Sequence, residues 1–472
     1  MNIVHYYMPR KFPHSFHKRL RGRCLCLWLI LFSCSITDLH AQPVLDAYIS
    51  QAYASNLVLK EKRISLEKSL LAIREARSLF QPTSWLETQY TLSRGGRTIS
   101  IPVGDLLNPV YNTLNMLTGT TQFPTIENVS DQFLPNNFYD VRVRTTLPII
   151  NTELRYNRDI REQQSKLSEN EIDIYKRELA KEVKVAYYNQ LMSAKSIGIL
   201  ESALSVVNQN LRLNQSLLSN GKGLPAYVTR AQAEVVSVES QLQTAKNNEK
   251  NAAAYFNFLL NRSFTDSITA TDPMPGDDQL RLIAAEETHI ERREELKALA
   301  LSKGISETQL KMNRSFRTPK LNTFLDLAAQ GFNFEVNKRS FYYLGGLQLQ
   351  IPLYTGKRNY YKIDQTRMDL QQIDLRTSHA RRQLELAAFS ARNNARNAYS
   401  AYHSMLKEEQ ASAQYYKLID RGYREGVNSF IEYLDARNQL TSSQLQAVIL
   451  KYRFLSTLAE YERQSATYDI NR

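Results

Sequence analysis

The chain has 472 residues, a formal net charge of +13 at neutral pH and three cysteines. All three cysteines (Cys24, Cys26 and Cys34) lie near the N-terminus, so the rest of the chain can make neither a disulfide nor a thiolate metal site. Basic residues are interleaved with acidic ones, as in RELAKEVK from Arg177 to Lys184, which is the pattern of a solvated helix face and argues against a nucleic-acid partner.

Arg10, Lys11, Lys18, Arg19, Arg21 and Arg23 precede an apolar run from Cys24 to Ile36, and Leu39-His40-Ala41-Gln42 supplies a small residue for cleavage. This order predicts a secretory signal peptide over residues 1–41. The run is shorter than the roughly 20 residues of a permanent span. The alternatives are a short N-terminal anchor and lipidation at Cys34, where Leu31-Phe32-Ser33-Cys34 fits a lipobox apart from Phe32. Cleavage would lower the net charge to about +8. No later segment has the unbroken apolar length of a membrane helix.

From Pro43 to about Phe80, apolar residues recur at spacings near three and four, as at Leu45, Ile49, Ala52, Leu66, Leu70 and Ile73; this predicts helix, which Pro82 stops. A strand follows at about 85–94, with Leu86, Thr88, Tyr90 and Leu92 alternating with polar residues. Residues 94–136 are rich in Gly, Pro, Asn and Thr and read as a long loop. Alternation resumes at about 138–148, where Tyr139, Val141, Val143 and Leu147 oppose Asp140, Arg142, Arg144 and Thr146. From Asn151 to Leu217 glycine and proline are nearly absent, which predicts a helix reaching roughly 100 Å at 1.5 Å per residue. A turn at Asn220-Gly221-Lys222-Gly223-Leu224-Pro225 and a return helix complete a hairpin over 151–262, and a looser linker spans 263–279.

The remainder, 280–472, repeats this plan. Strands fall at about 320–330 and 340–352, and a hairpin over 356–466 turns at Glu425-Gly426-Val427-Asn428-Ser429. Pro148 and Pro352 are offset by about 204 residues and Gly221 and Gly426 by about 205, whereas Pro82 and Pro319 are offset by about 237. The first copy, 42–262, therefore carries roughly 33 extra residues, placed in the 94–136 segment.

Four strands cannot close a barrel in lipid, because edge strands would leave backbone groups unpaired. Three chains, giving about twelve strands, are the natural solution. Trp85, Tyr90, Tyr139, Phe332, Phe334, Phe341 and Tyr343 would supply interfacial aromatic girdles. Arg142 and Arg144 alternate with the lipid-facing residues and would line the lumen; a rim position at the headgroups is the alternative.

The twofold repeat, the Pro352-Leu353-Tyr354-Thr355-Gly356 junction and the tip RGYREGVNSFIEYLDAR from Arg421 to Arg437 together resemble the outer membrane efflux protein family, the TolC-like channels. The resemblance spans essentially the whole mature chain. It implies a mostly α-helical fold with a membrane β-barrel portion: a homotrimer whose barrel of about twelve strands lies in outer-membrane lipid and continues as a coiled-coil tunnel through the periplasm. The implied role is the exit duct of a tripartite efflux pump or type I secretion system, with a periplasmic adaptor and an inner-membrane pump as partners. It further implies that Tyr423 belongs to a closing network, that Glu432 and Asp435 form acidic rings at the constriction, and that Gly221 and Gly426 mark adaptor-contacting tips. Two positions depart from the family pattern. Asn428 stands where a basic residue is expected, and Tyr227 stands near an expected acid, which leaves Arg421 or Arg424 as closing contacts.

No P-loop, dinucleotide fingerprint, HExxH or GxSxG motif occurs, and His289, His379 and His403 lack metal-ligand spacing, so neither enzyme chemistry nor a cofactor is expected. The rival readings are a periplasmic adaptor and a scaffold coiled coil, neither of which would need two strand pairs.

Overall fold

The computed structural model describes residues 43–273, 280, 283–284 and 290–470. The expected signal peptide with Cys34, part of the linker and His289 lie outside the described residues.

The chain opens with α1 (Pro43–Ser55) and α2 (Leu57–Ser78), where a single helix was expected. The break is Asn56, whose backbone leaves the helical region (ψ 129°) while its side chain accepts the Leu59 N–H. A residue that satisfies backbone donors itself ends one helix and caps the next. Asn56 also donates to the Leu259 carbonyl at 3.1 Å and accepts from the Tyr175 hydroxyl at 3.1 Å, so the corner is pinned to the first hairpin.

Strand β1 (Thr83–Thr91) follows, and then the segment expected to be plain loop. It instead contains β2 (Thr98–Ile101), α3 (Val103–Thr118) and β3 (Val129–Gln132), with β2 and β3 paired antiparallel. The asparagines that read as loop residues hold this subdomain together. Asn108 exchanges hydrogen bonds with the Ile126 backbone and Asn115 with that of Phe123, while Asn128 accepts from the Asp105 N–H.

Strand β4 (Phe138–Ile150) leads into the first hairpin, α4 (Thr152–Ser219) and α5 (Pro225–Leu259). Asn151 caps α4 by accepting from the Glu153 and Leu154 N–H groups. The second copy runs α6 (Glu294–Arg314), a 3-10 turn, β5 (Lys320–Phe332), β6 (Phe341–Gln350), α7 (Arg358–Arg424) and α8 (Phe430–Ser465). With 68 residues, α4 is roughly 100 Å long. No described helix is long and apolar enough to cross a membrane.

The sheet order is β1-β4-β5-β6, all antiparallel, so the two copies meet at β4 and β5 in its centre. The register sorts side chains by face. Val141, Val143, Leu147, Leu325, Leu327, Tyr343 and Leu347 share one face; Glu87, Asp140, Arg142, Arg144, Asp326 and Gln348 share the other. Trp85 and Phe332 pair with Arg144 and Phe138, which puts them on the charged face and not in a lipid-facing girdle. Tyr90 keeps a girdle-like contact, stacking on Phe334 at 4.9 Å.

Helices α2, α4, α6 and α7 pack side by side in the same order as the strands they join. The main core gathers Leu45 and Ile49 of α1, Leu179 and Tyr187 of α4, Phe256 of α5 and Tyr452 and Leu455 of α8. Further along, Ala391, Ala395 and Ala398 let α7 approach α8 closely against Phe454 and Leu458.

Candidate functional site

Two regions carry the predicted functional residues: the hairpin tips and the charged face of the sheet. At the second tip α7 ends through Gly426 in the left-handed region (φ +77°), and the first tip uses Gly221 likewise (φ +70°). The Val427 and Asn428 N–H groups both donate to the Gly422 carbonyl, at 2.8 and 3.1 Å. A Cβ at Gly422 would overlap the Asn428 amide, so any larger residue there would have to displace that side chain.

Helix α8 then starts with a capping box. The Glu432 N–H donates to Ser429 Oγ at 3.2 Å, and the Ser429 N–H donates to the Glu432 carboxylate at 2.7 Å. Asn428 donates to the same carboxylate at 3.3 Å. These bonds hold the Glu432 carboxyl below its ordinary range, so the cap persists on acidification until pH falls beneath that range. Glu432 thus turns back onto its own helix start, whereas Asp435, one turn on, is exposed.

Tyr423 stacks on Tyr433 at 4.9 Å and donates to Asn214 of α4 at 3.3 Å; burial raises its phenol pKa. Tyr227 packs on Phe430 at 5.1 Å. With Ala231, Leu434 and Tyr416, these rings form an aromatic wedge that joins the two tips within one chain. The candidate closing cations are engaged on their own helix, Arg421 with Glu425 and Arg424 with Asp420, each at 3.0 Å. As exposed pairs they contribute little.

Sequence reasoning missed the contact beneath the wedge. Arg437 of α8 is ion-paired with Glu234 of α5, their side chains 4% and 11% exposed. The available signal was placement: Glu234 lies at helical spacing among Ala231, Val235 and Val238, and Arg437 among Tyr433 and Leu434, all buried.

On the sheet, Arg142 donates to Glu87 at 2.9 Å, and Arg144 grips Asp326 with two bonds of 2.8 and 2.7 Å. Asp326 is fully enclosed by its neighbours, and the Tyr342 hydroxyl donates to Asp140 at 3.2 Å. The arginines are therefore neutralised in place, and Arg144–Asp326 ties the first copy to the second through a geometry that admits one register. Asp326→Ala should reduce the yield of heat-stable assembled protein from membranes. The reciprocal swap, Arg144→Asp with Asp326→Arg, should restore part of it; equal yields from the single variant and the native chain would refute the pinning role.

The family model described as outer membrane efflux protein matches residues 48–262 and 287–462, one segment for each copy. The chain belongs to the outer membrane efflux protein family.

Solved structures agree in fold. The Campylobacter jejuni CmeC outer membrane channel superposes with a TM-score of 0.69 at 13% identity, over 90% of this chain and 87% of that one. The outer membrane protein VceC from Vibrio cholerae gives 0.68 at 14% identity, over 89% and 95%. The open state of the Neisseria gonorrhoeae MtrE outer membrane channel gives 0.67 at 16% identity, over 89% and 88%. A search of curated proteins finds no significant match. Family and fold neighbours are channels and not enzymes. As a member, this chain is an outer-membrane exit duct for efflux, extending into the periplasm, and the adaptor and scaffold readings fall away.

Proposed function

We propose that three copies of this chain close into one barrel, with the apolar sheet face toward lipid and Arg142 and Arg144 toward the lumen. The carrying observation is a sheet with one apolar and one charged face whose outer strands, β1 and β6, each pair on one side only among the described residues. On this reading residues 42–262 and 280–472 are two copies of one unit, and each trimer contains six. The tips at Gly221 and Gly426 meet a periplasmic adaptor, through which an inner-membrane pump delivers substrate. A heat-modifiable trimer in the outer-membrane fraction is the expected result; a monomer there would end the barrel reading.

Three copies of Asp435, with Glu432 beside them, would form a carboxylate ring at the periplasmic entrance and favour cations. Because Glu432 also caps α8, its removal would disturb the tip as well as the charge. Asp435→Asn is the cleaner test. It should lower cation-over-anion selectivity in planar bilayers while leaving thermal stability intact. Unchanged selectivity would remove Asp435 from the constriction.

A further inference from the structure

At the junction of sheet and helices in the first copy, a cavity of about 400 Å³ opens between the end of α2, the end of β4 and the first turns of α4. Arg77, Arg155 and Arg158 line it together with Glu162, Phe80 and Ile149. Arg77 and Arg158 flank Glu162 at 2.9 and 4.0 Å, so the carboxylate holds two guanidinium groups at one wall. Arg158 also pairs with Asp159 at 2.7 Å. Arg155 is exposed and, among the described residues, has no carboxylate within ion-pair distance. Three arginines against Glu162 and Asp159 leave one guanidinium, that of Arg155, outside the ion pairs and give the site a net positive charge.

The place of this cavity gives that charge a meaning. The strands end and the periplasmic helices begin here, which is the depth of the headgroups of the periplasmic leaflet. The cavity lies between α2 and α4 of one chain, adjacent elements inside the protomer, so assembly is not needed to build it.

The second copy supplies an internal control. At the same offsets Asn359 stands for Arg155 and Thr366 for Glu162. Both are buried, and Asn313 joins them: Asn359 donates to the Asn313 carbonyl at 2.8 Å and Asn313 donates to Thr366 at 3.0 Å. One junction is filled by short amide and hydroxyl side chains, with Arg314 and Lys362 at the positions of Arg77 and Arg158; the other is open, and of its three arginines only Arg155 has a neutral counterpart. Packing strand to helix therefore does not itself require an arginine-lined cavity.

We propose that this cavity binds the headgroup phosphate of an anionic phospholipid of the periplasmic leaflet, with Arg77, Arg155 and Arg158 on the phosphate and Phe80 and Ile149 against the lipid's apolar portion. Guanidinium groups suit phosphate oxygens through paired N–H donors, and basic pockets at this depth attract anionic lipid. The inference rests on the outer-membrane placement and is independent of the tip ring.

The test is native mass spectrometry of the trimer released from nanodiscs of phosphatidylethanolamine with phosphatidylglycerol. The native chain should retain phosphatidylglycerol in preference to phosphatidylethanolamine, near one per chain. Arg155→Gln with Arg158→Gln should lower that retention about tenfold, while Lys362→Gln, at the second-copy position equivalent to Arg158, should leave it unchanged. If the double variant fails to assemble, Arg155→Gln alone carries the same expectation in direction, because that side chain is exposed and outside the ion pairs. Equal retention by native and variant trimers would overturn the proposal. So would binding of inorganic phosphate without retention of lipid, which would mark a site for free anions. A chain that forms no trimer defeats the barrel reading, whereas a trimer indifferent to phosphatidylglycerol defeats only this one.

Discussion

Replacing Glu234 by alanine should destabilise the paired hairpin tips by about 3–5 kcal/mol, because it strands the Arg437 guanidinium in a site sealed from water. The cost arises mainly from the abandoned charge and much less from the lost attraction. Removing both charges together should therefore be far milder than removing one. Glu234→Met with Arg437→Met should recover most of the melting temperature lost by the single variant, since well-packed apolar pairs commonly match buried ion pairs. Thermal unfolding of the purified protein, followed by circular dichroism, reads the stability. Protease nicking within residues 220–229 and 425–430 reads the tip. A single variant as stable and as protease-resistant as the native chain would show that water reaches the pair.

The second large effect is expected at Phe430, which is 2% exposed and packs its ring on Tyr227 at 5.1 Å and Tyr423 at 6.1 Å. Truncation to alanine removes the centre of the wedge and should cost about 3–5 kcal/mol. The tips of α4–α5 and α7–α8 are held together there by ring packing, with Tyr227 contributed by the first tip. Phe430→Ala should consequently raise the mean single-channel conductance in planar bilayers, by loosening the entrance. Phe430→Leu, which keeps most of the volume, should do so much less. Conductance unchanged in both variants would separate the wedge from closure.

The fold was legible wherever one period dominated the sequence. Alternation at Tyr139, Val141 and Val143 against Asp140, Arg142 and Arg144 located a strand with the correct division between its two faces, and the glycine-poor run after Asn151 located α4. Where local chemistry overrides period, the reading failed. Asn56 breaks a helix by capping its successor, and Asn108, Asn115 and Asn128 knit a small subdomain from what composition describes as loop. Trp85 and Phe332 were misplaced because aromatic content does not report strand parity. At the tip, Glu432 and Asp435 share a helix face by spacing alone. The Ser429-x-x-Glu432 spacing is a capping-box signature that the reading passed over, whereas no local spacing could reveal that Glu234 meets Arg437 from a hairpin roughly 200 residues away.

The central pairing of β4 with β5 has a consequence for how an assembly is built. It joins the second strand of one copy to the first strand of the next, and a contact between β6 and the β1 of another chain would join the same kinds of strand. At the offsets of the duplication, the counterparts of Arg144 and Asp326 in that outer seam are Gln348 and Gln89. The seam inside the chain is thus marked by opposite charges, and the seam between chains by two neutral amides. Opposite charges attract over distance and fix the hairpins of a single chain first, while amides select only on contact. On the twelve-stranded barrel reading, this marking would favour each chain completing its own four-stranded third of the wall before it accepts a neighbour.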